Sequence, residues 1–326
     1  MDLRYYRYKL FWWIREHLFF CRNLTKHQQW LEYELPAGYG DWAVHPCVRY
    51  IPEGLGRSCW WMALSPYPGF DTTKENILLY KGENTKDSVI PLKWTFVKEV
   101  SGSHSKGYNS DPNLYYDEDK KELWVIWREW ETKNVPDESP LCCTLFSKTN
   151  NGTKFSAPEI LALNRCALDN LPADTQMCPT VIDFRGFRYL YGVHYSFEPN
   201  LFPRGFCRYE YDGTRFELVD SRPWKDRSFD LWHIDMFQHS EYLYQVITGR
   251  SGNAIYLGRS KNGLDFEYSH RPLYSWRWFV KKNYFYKASA LVYNDNLYLF
   301  FPRKQKNNSV KIVVRSMPIS KLDNFF

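Results

Sequence analysis

The chain has 326 residues, of which 44% are hydrophobic and 25% are charged, a composition typical of a folded globular protein. Its net charge of +6 is modest, and no run of five like charges occurs, so the sequence gives little support to nucleic-acid binding. Aromatic residues make up 19% of the chain. Aromatic residues favour strands, and we expect most of these rings to fill the core.

Residues 1–38 are predicted to form an N-terminal extension outside the main domain. Its apolar stretch, Leu10–Ile14, ends after five residues at Arg15 and Glu16, and no small-residue cleavage site follows. The segment therefore fits neither a signal peptide nor a membrane span, which leaves the cytoplasm or a phage particle as the expected location. We predict a short helix that packs on the outside of the main domain, with contact to a membrane surface as the alternative.

Cofactor motifs are absent from the sequence. The eight cysteines form no Cys-x-x-Cys pair, so no structural zinc site is predicted, and in a chain of this length we expect buried thiols without disulfides. Neither a Gly-rich phosphate loop, nor a His-x-x-x-His pair, nor a Gly-x-Ser-x-Gly motif occurs. The sequence thus predicts no metal and no cofactor, with a calcium ion in a central channel left as an open alternative.

From residue 45 onward the sequence repeats a four-strand pattern. The first copy contains "HPCVRYI" (45–51), "SCWWMALSPY" (58–67) and "ENILLYKGEN" (75–84). The second has strands at Asn113–Tyr116 and Glu122–Trp127, a third in "LCCTLFSKT", and an Asn-Gly turn that leads into a fourth, "TKFSAP". Three further copies begin near residues 178, 232 and 286, and two of them contain an Asp-Gly or Asn-Gly turn.

The openings of the first strands are in register at His45, Asp111, Cys178, His233 and Lys287, with intervals of 66, 67, 55 and 54 residues. Five four-stranded antiparallel units at this spacing predict an all-β fold, a five-bladed β-propeller over residues 39–326. A double β-sandwich does not explain the repeated order of strand, turn and Gly-containing hairpin. Since the first strands of a propeller line its channel, the five opening residues are predicted to form a polar ring at the channel mouth. The alternative is that each only makes a turn at its strand start.

The blade pattern and the motif "SDP" (110–112) resemble glycoside hydrolase family 43 and its relatives in families 32, 117 and 130, over roughly residues 40–317. The phrases "HPCVRY", "NSDPNLYY" and "LWVIWRE" are also similar to uncharacterised propeller proteins of phages and of bacterial surface-polysaccharide gene clusters. The resemblance implies a propeller that binds an oligo- or polysaccharide in its central funnel.

In family 43, three carboxylates carry the reaction, and the resemblance assigns one of them, the aspartate of blade two, to Asp111. At blade one the sequence has His45 in "HP" where the family has "DP", and at blade three it has Met177 in "MCP" where the family has a glutamate. The usual base and the usual acid are therefore missing. Histidine donates and accepts protons near neutral pH, so His45 and His233 are the predicted replacements.

Two more carboxylates complete the predicted catalytic set. Asp235 lies two residues after His233 and hence on the same strand face, where a His–Asp pair would set the histidine tautomer; a structural turn is the alternative. Glu129 ends the second strand of blade two beside Arg128, and the two side chains must face opposite sides of the sheet.

The predicted substrate-binding residues lie at the blade mouths. Arg128 and Lys287 would pair with an acidic sugar or a phosphate, although a salt bridge between blades is an equal alternative for Arg128. Trp42, directly before the first strand of blade one, is the first choice for stacking on a sugar ring. The other predicted contacts are Tyr67, Glu75, His194 and Trp232.

The sequence as a whole predicts a glycoside-hydrolase-like protein that binds and cleaves a bacterial surface or capsular polysaccharide, with a slight preference for an acidic one. The first alternative is a non-catalytic carbohydrate-binding propeller, such as a phage structural or receptor-binding protein, because two expected carboxylates are missing. The second is transferase or phosphorylase chemistry, which would require a phosphate pocket near Arg128 and Lys287.

Overall fold

The computed structural model describes a defined part of the chain, namely Leu10 and residues 28–83, 88–102, 107–131, 141–163, 174–196, 205–223, 231–249, 254–275 and 286–326. Apart from Leu10, which is helical and exposed, the predicted N-terminal helix and its membrane-surface contact lie outside these residues. Within the described ranges, no helix is long and apolar enough to cross a membrane.

The described residues form five antiparallel sheets in a ring, which confirms the predicted five-bladed propeller. A short strand, β1 (Gln29–Trp30), comes first. Blade one contains β2 (Ala43–Leu55), β3 (Ser58–Pro66), β4 (Leu78–Gly82) and β5 (Trp94–Glu99). Blade two contains β6 (Gly107–Asp117), β7 (Glu122–Glu131), β8 (Leu141–Thr149) and β9 (Glu159–Leu163). Blade three contains β10 (Asp174–Phe184), β11 (Phe187–Ser196), β12 (Gly205–Tyr211) and β13 (Phe216–Pro223).

Blades four and five complete the ring. Blade four contains β14 (Leu231–His239), β15 (Tyr242–Gly249), β16 (Ala254–Ser260), β17 (Glu267–Tyr268) and β18 (Tyr274–Ser275), and blade five contains β19 (Ser289–Tyr293), β20 (Asn296–Lys304) and β21 (Val310–Pro318). Single 3-10 turns cover Pro68–Phe70 and Thr72–Lys74, and a 3-10 helix of seven residues covers Ile319–Phe325. The first strands β2, β6, β10, β14 and β19 contact one another in cyclic order, so they surround the central channel.

Blade five takes its outer strand from the start of the chain. β1 pairs with β21 in antiparallel register, with Gln29 opposite Val314 and Trp30 opposite Val313. The pairing ties the two ends of the ring together and satisfies backbone groups that an unpaired edge of β21 would expose. Two residues of blade five, Gln29 and Trp30, therefore lie within the predicted N-terminal extension, before the predicted domain boundary at residue 39.

The predicted fourth strand of blade two, "TKFSAP" (153–158), is wrong, because the fourth strand is β9 and begins at Glu159. The Asn151 side chain accepts hydrogen bonds of 2.9 Å from the backbone N–H groups of Thr153 and Lys154, which fixes a turn where the strand was expected. Gly152 adopts a φ of 73° directly beneath Trp61, and a Cβ there would lie 2.6 Å from that ring.

The hydrophobic core is divided into five clusters, and each cluster lies between two neighbouring blades. Trp61 of blade one and Trp127 of blade two, for example, are both about 1% exposed and belong to the same cluster. Each blade thus buries both faces against its neighbours, as the repeat predicts. The six described cysteines form no disulfide and five of them are buried, as expected from the sequence.

The inner edge of each first strand has no neighbouring strand in its own sheet, so its N–H groups require other acceptors. In four blades, the side chain two residues after the opening position accepts a hydrogen bond from the next blade around the ring. The acceptors are Cys47 for Leu114 N–H, Asn113 for Val181 N–H, Asp235 for Ala290 N–H and Ser289 for Val48 N–H, at 2.9–3.2 Å. These bonds join the first strands of neighbouring blades. They therefore fix how far along the channel axis one opening residue lies from the next.

Candidate functional site

The opening residues of the first three blades share an unusual backbone. His45, Asp111 and Cys178 each precede a proline and have φ values of 52°, 56° and 55°. The pairing of each first strand with the second shifts register at this point, so each blade has a β-bulge there. Positive φ is rare for residues other than glycine, and a following proline favours extended backbone instead. In a regular strand, side chains point alternately to the two faces of the sheet. The bulge breaks this alternation and changes the direction of the side chain at the opening residue.

Three of the opening side chains meet in a buried cluster. Asp111 Oδ1 lies 3.3 Å from His45 Nε2 and 3.6 Å from His233 Nε2, and the ring centroids of the two histidines are 5.1 Å apart. Each of the three residues is at most 2% exposed. Among the described residues, both ring nitrogens of His45, Nδ1 of His233 and Oδ1 of Asp111 have no hydrogen-bond partner. The cluster therefore contains converging polar atoms that the protein itself does not satisfy.

The two histidines are neutral at pH 7. Burial lowers the pKa of His45 to about 4; the charge of Asp111 opposes this effect, while Lys287 and Arg128 add to it. Burial likewise holds the pKa of His233 well below its ordinary value. Neutral imidazole is the form that offers a lone pair to a ligand or a proton.

Asp111 stays ionised inside the cluster. Burial alone would raise the pKa of its carboxyl, but Arg128, the two histidines and Lys287 together hold that pKa well below the usual range. Arg128 Nε lies 3.2 Å from Asp111 Oδ2, and its Nη2 donates a 2.6 Å hydrogen bond to the Ser110 hydroxyl. Arg128 thus fixes one carboxylate oxygen and leaves the other turned to the histidines.

Glu75 stands on the other side of His45. It follows the 3-10 turn Thr72–Lys74, is 5% exposed, and its Oε1 lies 3.8 Å from His45 Nδ1. Burial raises the pKa of Glu75 well above its ordinary value; Arg128 opposes this, and the negative charge of Asp111 adds to it. The raised pKa favours the neutral carboxylic acid, the form of Glu75 that can donate a proton.

These residues line a cavity of about 150 Å³ that is partly open to solvent. Its other walls are largely aromatic. The lining residues are His45, Tyr67, Thr72, Glu75, Tyr108, Asp111, Arg128, Trp232, His233 and Tyr286. The ring centroids of Tyr67 and Tyr286 are 5.7 Å apart, and the centroid of the Tyr286 ring lies 4.7 Å from that of His45 and 5.1 Å from that of His233. A cavity with aromatic walls and a few convergent polar groups is typical of a small-ligand site.

Several predicted site residues lie elsewhere. Asp235 does not pair with His233; its Oδ1 lies 3.2 Å from Arg49 Nη2 and its Oδ2 accepts from the Ala290 N–H. It lies two residues further along the channel wall, where blades one and five are its neighbours. Lys287 is fully buried and donates a 2.7 Å hydrogen bond to the carbonyl of Pro112, so its ammonium group supports the Asp111–Pro112 bulge from outside the cavity wall.

Two more predicted residues, Glu129 and Trp42, also lie away from the cavity wall, and the position of a third, His194, is described only for its backbone. Glu129 is half-buried and its Oε1 lies 4.0 Å from the Cys143 thiol, on the opposite face of β7 from Arg128. Trp42 packs edge-on against Phe70 and bridges to Val310 at the junction with blade five. His194 pairs with Gln176 and Gly205 through its backbone, and its side chain lies outside the described part of the structure.

Tyr286, Tyr108 and Thr72 line the cavity but were not among the predicted site residues. Tyr286 could have been predicted from the repeat. It directly precedes the opening residue of blade five, just as Trp232 directly precedes the opening residue of blade four. Tyr108 was visible only as one of several aromatic residues near the blade mouths. No sequence pattern pointed to Thr72, because it lies in the short 3-10 turn between β3 and β4 and outside the repeated strands.

The cluster has the chemistry of a metal-ligand set. One ligand atom from each of His45, Asp111 and His233 can be chosen so that all three lie within 4.8 Å of one another. Ligands bound at about 2.1 Å to a tetrahedral zinc ion are themselves roughly 3.4 Å apart, close to the 3.3 and 3.6 Å separations found here. A sequence motif could not reveal this set, because its members come from blades one, two and four.

No protein-family model and no curated protein sequence matches the chain. Solved structures match over nearly the whole propeller. An N-acetylgalactosamine deacetylase from F. plautii, in complex with blood group B trisaccharide, is 12% identical with a TM-score of 0.71, covering 91% of this chain and 96% of that one. The RS223 β-xylosidase is 11% identical with a TM-score of 0.61, covering 90% and 95%. Penicillium chrysogenum α-L-arabinanase is 12% identical with a TM-score of 0.59, covering 89% and 80%. At this identity the likeness shows a shared fold.

Proposed function

We propose that this protein is a metal-dependent carbohydrate-active hydrolase that removes an acyl group from an N-acylated sugar held in the cavity. The observation that carries the proposal is the buried set His45, Asp111 and His233, whose unsatisfied atoms converge beside the aromatic walls. Two imidazoles and one carboxylate suit zinc or a neighbouring transition metal, whereas calcium takes mainly oxygen ligands. A calcium ion in the channel is therefore not the cation that we propose.

The reaction is the hydrolysis of an amide. A divalent cation at the three ligands would supply a Lewis acid and lower the pKa of a bound water. The oxygen of one water bonds to the acyl carbon, the C–N bond breaks, and both protons of that water end on the nitrogen, so the products are a carboxylate and the ammonium form of the amino sugar. Glu75 lies on the cavity wall and its raised pKa favours the carboxylic acid, which gives its proton to the departing nitrogen and takes one back from the attacking water. Arg128 keeps Asp111 ionised and oriented, and Tyr67 and Trp232 offer ring faces to the sugar.

Acyl transfer to water fits the described carboxyl groups better than cleavage of a glycosidic bond. A glycosidase places an acid and a base or nucleophile on either side of the scissile bond. Here the two cavity carboxyls, Asp111 and Glu75, have the His45 imidazole between them, and Asp111 is held by Arg128. The likeness to a solved N-acetylgalactosamine deacetylase, at a TM-score of 0.71, supports the same choice.

The substrate class that we propose is an N-acetylated polysaccharide, and a bacterial surface or capsular polymer is the source expected from the sequence. The aromatic walls favour a sugar ring, and the cavity volume of about 150 Å³ favours one sugar substituent at a time.

The proposal is tested by measuring acetate and new reducing ends released from a panel of N-acetylated bacterial surface polysaccharides. The wild type is compared with a His45→Ala, His233→Ala double variant, before and after EDTA treatment and readdition of Zn²⁺ or Mn²⁺. We expect metal-dependent release of acetate without new reducing ends, and no release by the double variant. New reducing ends that EDTA does not suppress would replace this proposal with glycoside hydrolysis. Binding without either product would make the protein a carbohydrate-binding propeller.

A further inference from the structure

The cavity continues into a line of aromatic rings that leads away from the histidines. Tyr286 lies against both histidines, and its ring centroid is 5.7 Å from that of Tyr67. The Tyr67 ring lies 5.6 Å from Phe70, and the Phe70 ring lies 5.1 Å from Trp42. Four rings therefore run without interruption from the cavity to the junction between blades one and five.

The outer end of this line is accessible. Phe70 is 49% exposed, which is unusual for a phenylalanine that also packs between two other aromatic rings. Trp42 is half-buried, and the Lys304 ammonium group of blade five lies 5.9 Å from its ring centroid. We call Trp42, Phe70 and Lys304 the aromatic shelf.

Phe70 of the shelf lies on the loop that also forms the cavity wall, and contacts within this loop hold it in place. Pro68 packs on Gly40, where a Cβ would lie 2.8 Å from the proline ring. Asp71 accepts hydrogen bonds from the backbone N–H and the hydroxyl of Thr73. The same loop places Tyr67, Thr72 and Glu75 on the cavity. A ligand on the shelf would thus be fixed relative to a ligand in the cavity, at little cost in ordering the protein.

We propose that the aromatic shelf binds a second sugar residue of the same glycan, next to the residue whose acyl group enters the cavity. This inference rests on the proposed function for the cavity. A sugar presents an apolar face of C–H groups that packs on an aromatic ring, while its hydroxyl or carboxylate oxygens accept hydrogen bonds from a lysine such as Lys304. The protein then recognises a chain of at least two sugars, and a monosaccharide uses only the cavity.

The test compares ligands of increasing length. Binding constants are measured by calorimetry in the presence of EDTA, so that no turnover occurs, for N-acetylglucosamine, chito-oligosaccharides of two to five residues and hyaluronan oligosaccharides. Wild type is compared with Phe70→Ala, with Phe70→Asn, which tolerates the φ of 68° at this position, and with Phe187→Ala. Phe187 is a matched control because it is 52% exposed and lies on β11 of blade three. Acetate release is measured separately with metal present.

We expect wild type to bind oligosaccharides more tightly than the monosaccharide. Both Phe70 variants should lose about three- to tenfold in affinity for oligosaccharides, with little change for the monosaccharide and none in Phe187→Ala. Equal oligosaccharide affinity in wild type and both Phe70 variants overturns the shelf, as does wild-type affinity that does not rise with chain length. Loss of the length dependence in the Phe70 variants without acetate release by any protein supports the shelf and removes the proposed reaction.

Discussion

Asp111 Oδ1 lies 3.3 Å from His45 Nε2, although the two residues are 66 positions apart and belong to different blades. Both residues hold a left-handed backbone directly before a proline, at φ values of 56° and 52°. Such a conformation costs on the order of 1–3 kcal/mol per residue and persists only where the surrounding fold requires it. The same backbone choice in two blades turns both side chains onto one point, beside His233.

Removing the histidines is expected to abolish metal binding. The His45→Ala and His233→Ala variants each lose one of three ligands, so we expect Zn²⁺ affinity to fall by more than about a hundredfold in calorimetric titrations. His239→Ala is the matched control, since His239 lies at the far end of the same strand as His233. An unchanged affinity in both cluster variants would mean that any bound metal lies elsewhere.

Replacing Glu75 by glutamine separates its protonation state from its role in packing. Because the raised pKa of Glu75 favours its neutral form in the folded chain, Glu75→Gln keeps a neutral side chain of the same shape and should cost less than about 1 kcal/mol in urea unfolding. Loss of the transferable proton should lower acetate release by about a hundredfold or more. A large loss of stability with full activity would show instead that Glu75 is a buried anion with a structural role.

The metal-free protein should lose stability as the solution is acidified. Burial lowers the pKa of His45 to about 4 in the folded chain, whereas in the unfolded chain the pKa is near its ordinary value of 6.5. Between these values the unfolded state binds more protons, so stability present above pH 6.5 is lost as the pH falls through this window.

From pH 7 to pH 5 the contribution of His45 to this loss should be about 2 kcal/mol. The measurement is urea unfolding in EDTA at both pH values, for wild type and for His45→Gln, which cannot take up the proton. The variant should show a smaller difference between the two pH values than the wild type, and an identical difference would contradict the assignment of a neutral buried His45.

Replacing Asp235, which joins blades four, five and one, should lower the free energy of unfolding. Asp235→Ala leaves the Arg49 guanidinium and the Ala290 N–H without this carboxylate, which is fully buried. We expect a loss of about 3 kcal/mol in chemical unfolding, because the partly buried Arg49 guanidinium loses its counter-ion and the Ala290 N–H loses its acceptor. Asp212→Ala is the comparison, because the Asp212 carboxylate lies in an exposed turn, and we expect it to cost much less stability than Asp235→Ala. If both variants lose the same stability, the contacts of Asp235 with Arg49 and Ala290 contribute no more to folding than the exposed turn at Asp212.

The sequence predicted a ring of five opening residues from the register of the repeat, and three of the five line the cavity. The spacing of His45, Asp111 and His233 placed them at equivalent points of three blades, and the equivalence of these points in the fold brought them together. β1 could not be assigned to blade five, since two residues carry no periodicity and their partner strand β21 lies at the opposite end of the chain.

The function of individual side chains was harder to predict than their register. Asp235 lies two residues after His233 on the same strand face. It is further along the channel, however, where its carboxylate forms an ion pair with Arg49 and not with His233. Trp42 lies three residues before His45, whereas Trp232 and Tyr286 directly precede their opening residues and do reach the cavity. A metal-ligand set assembled from three blades has no local spacing to recognise, and only the distances between blades make it visible.

The proposed metal site can be tested by anomalous diffraction from a crystal of the wild-type protein soaked in a low concentration of Zn²⁺, with data collected on both sides of the zinc edge. We expect a strong anomalous peak about 2.0–2.2 Å from a ring nitrogen of His45, a ring nitrogen of His233 and an Asp111 carboxylate oxygen. The peak should be absent in crystals of the His45→Ala, His233→Ala variant. A soaked wild-type crystal with no peak in the cluster, or with zinc only on surface residues, would show that these residues do not bind the metal.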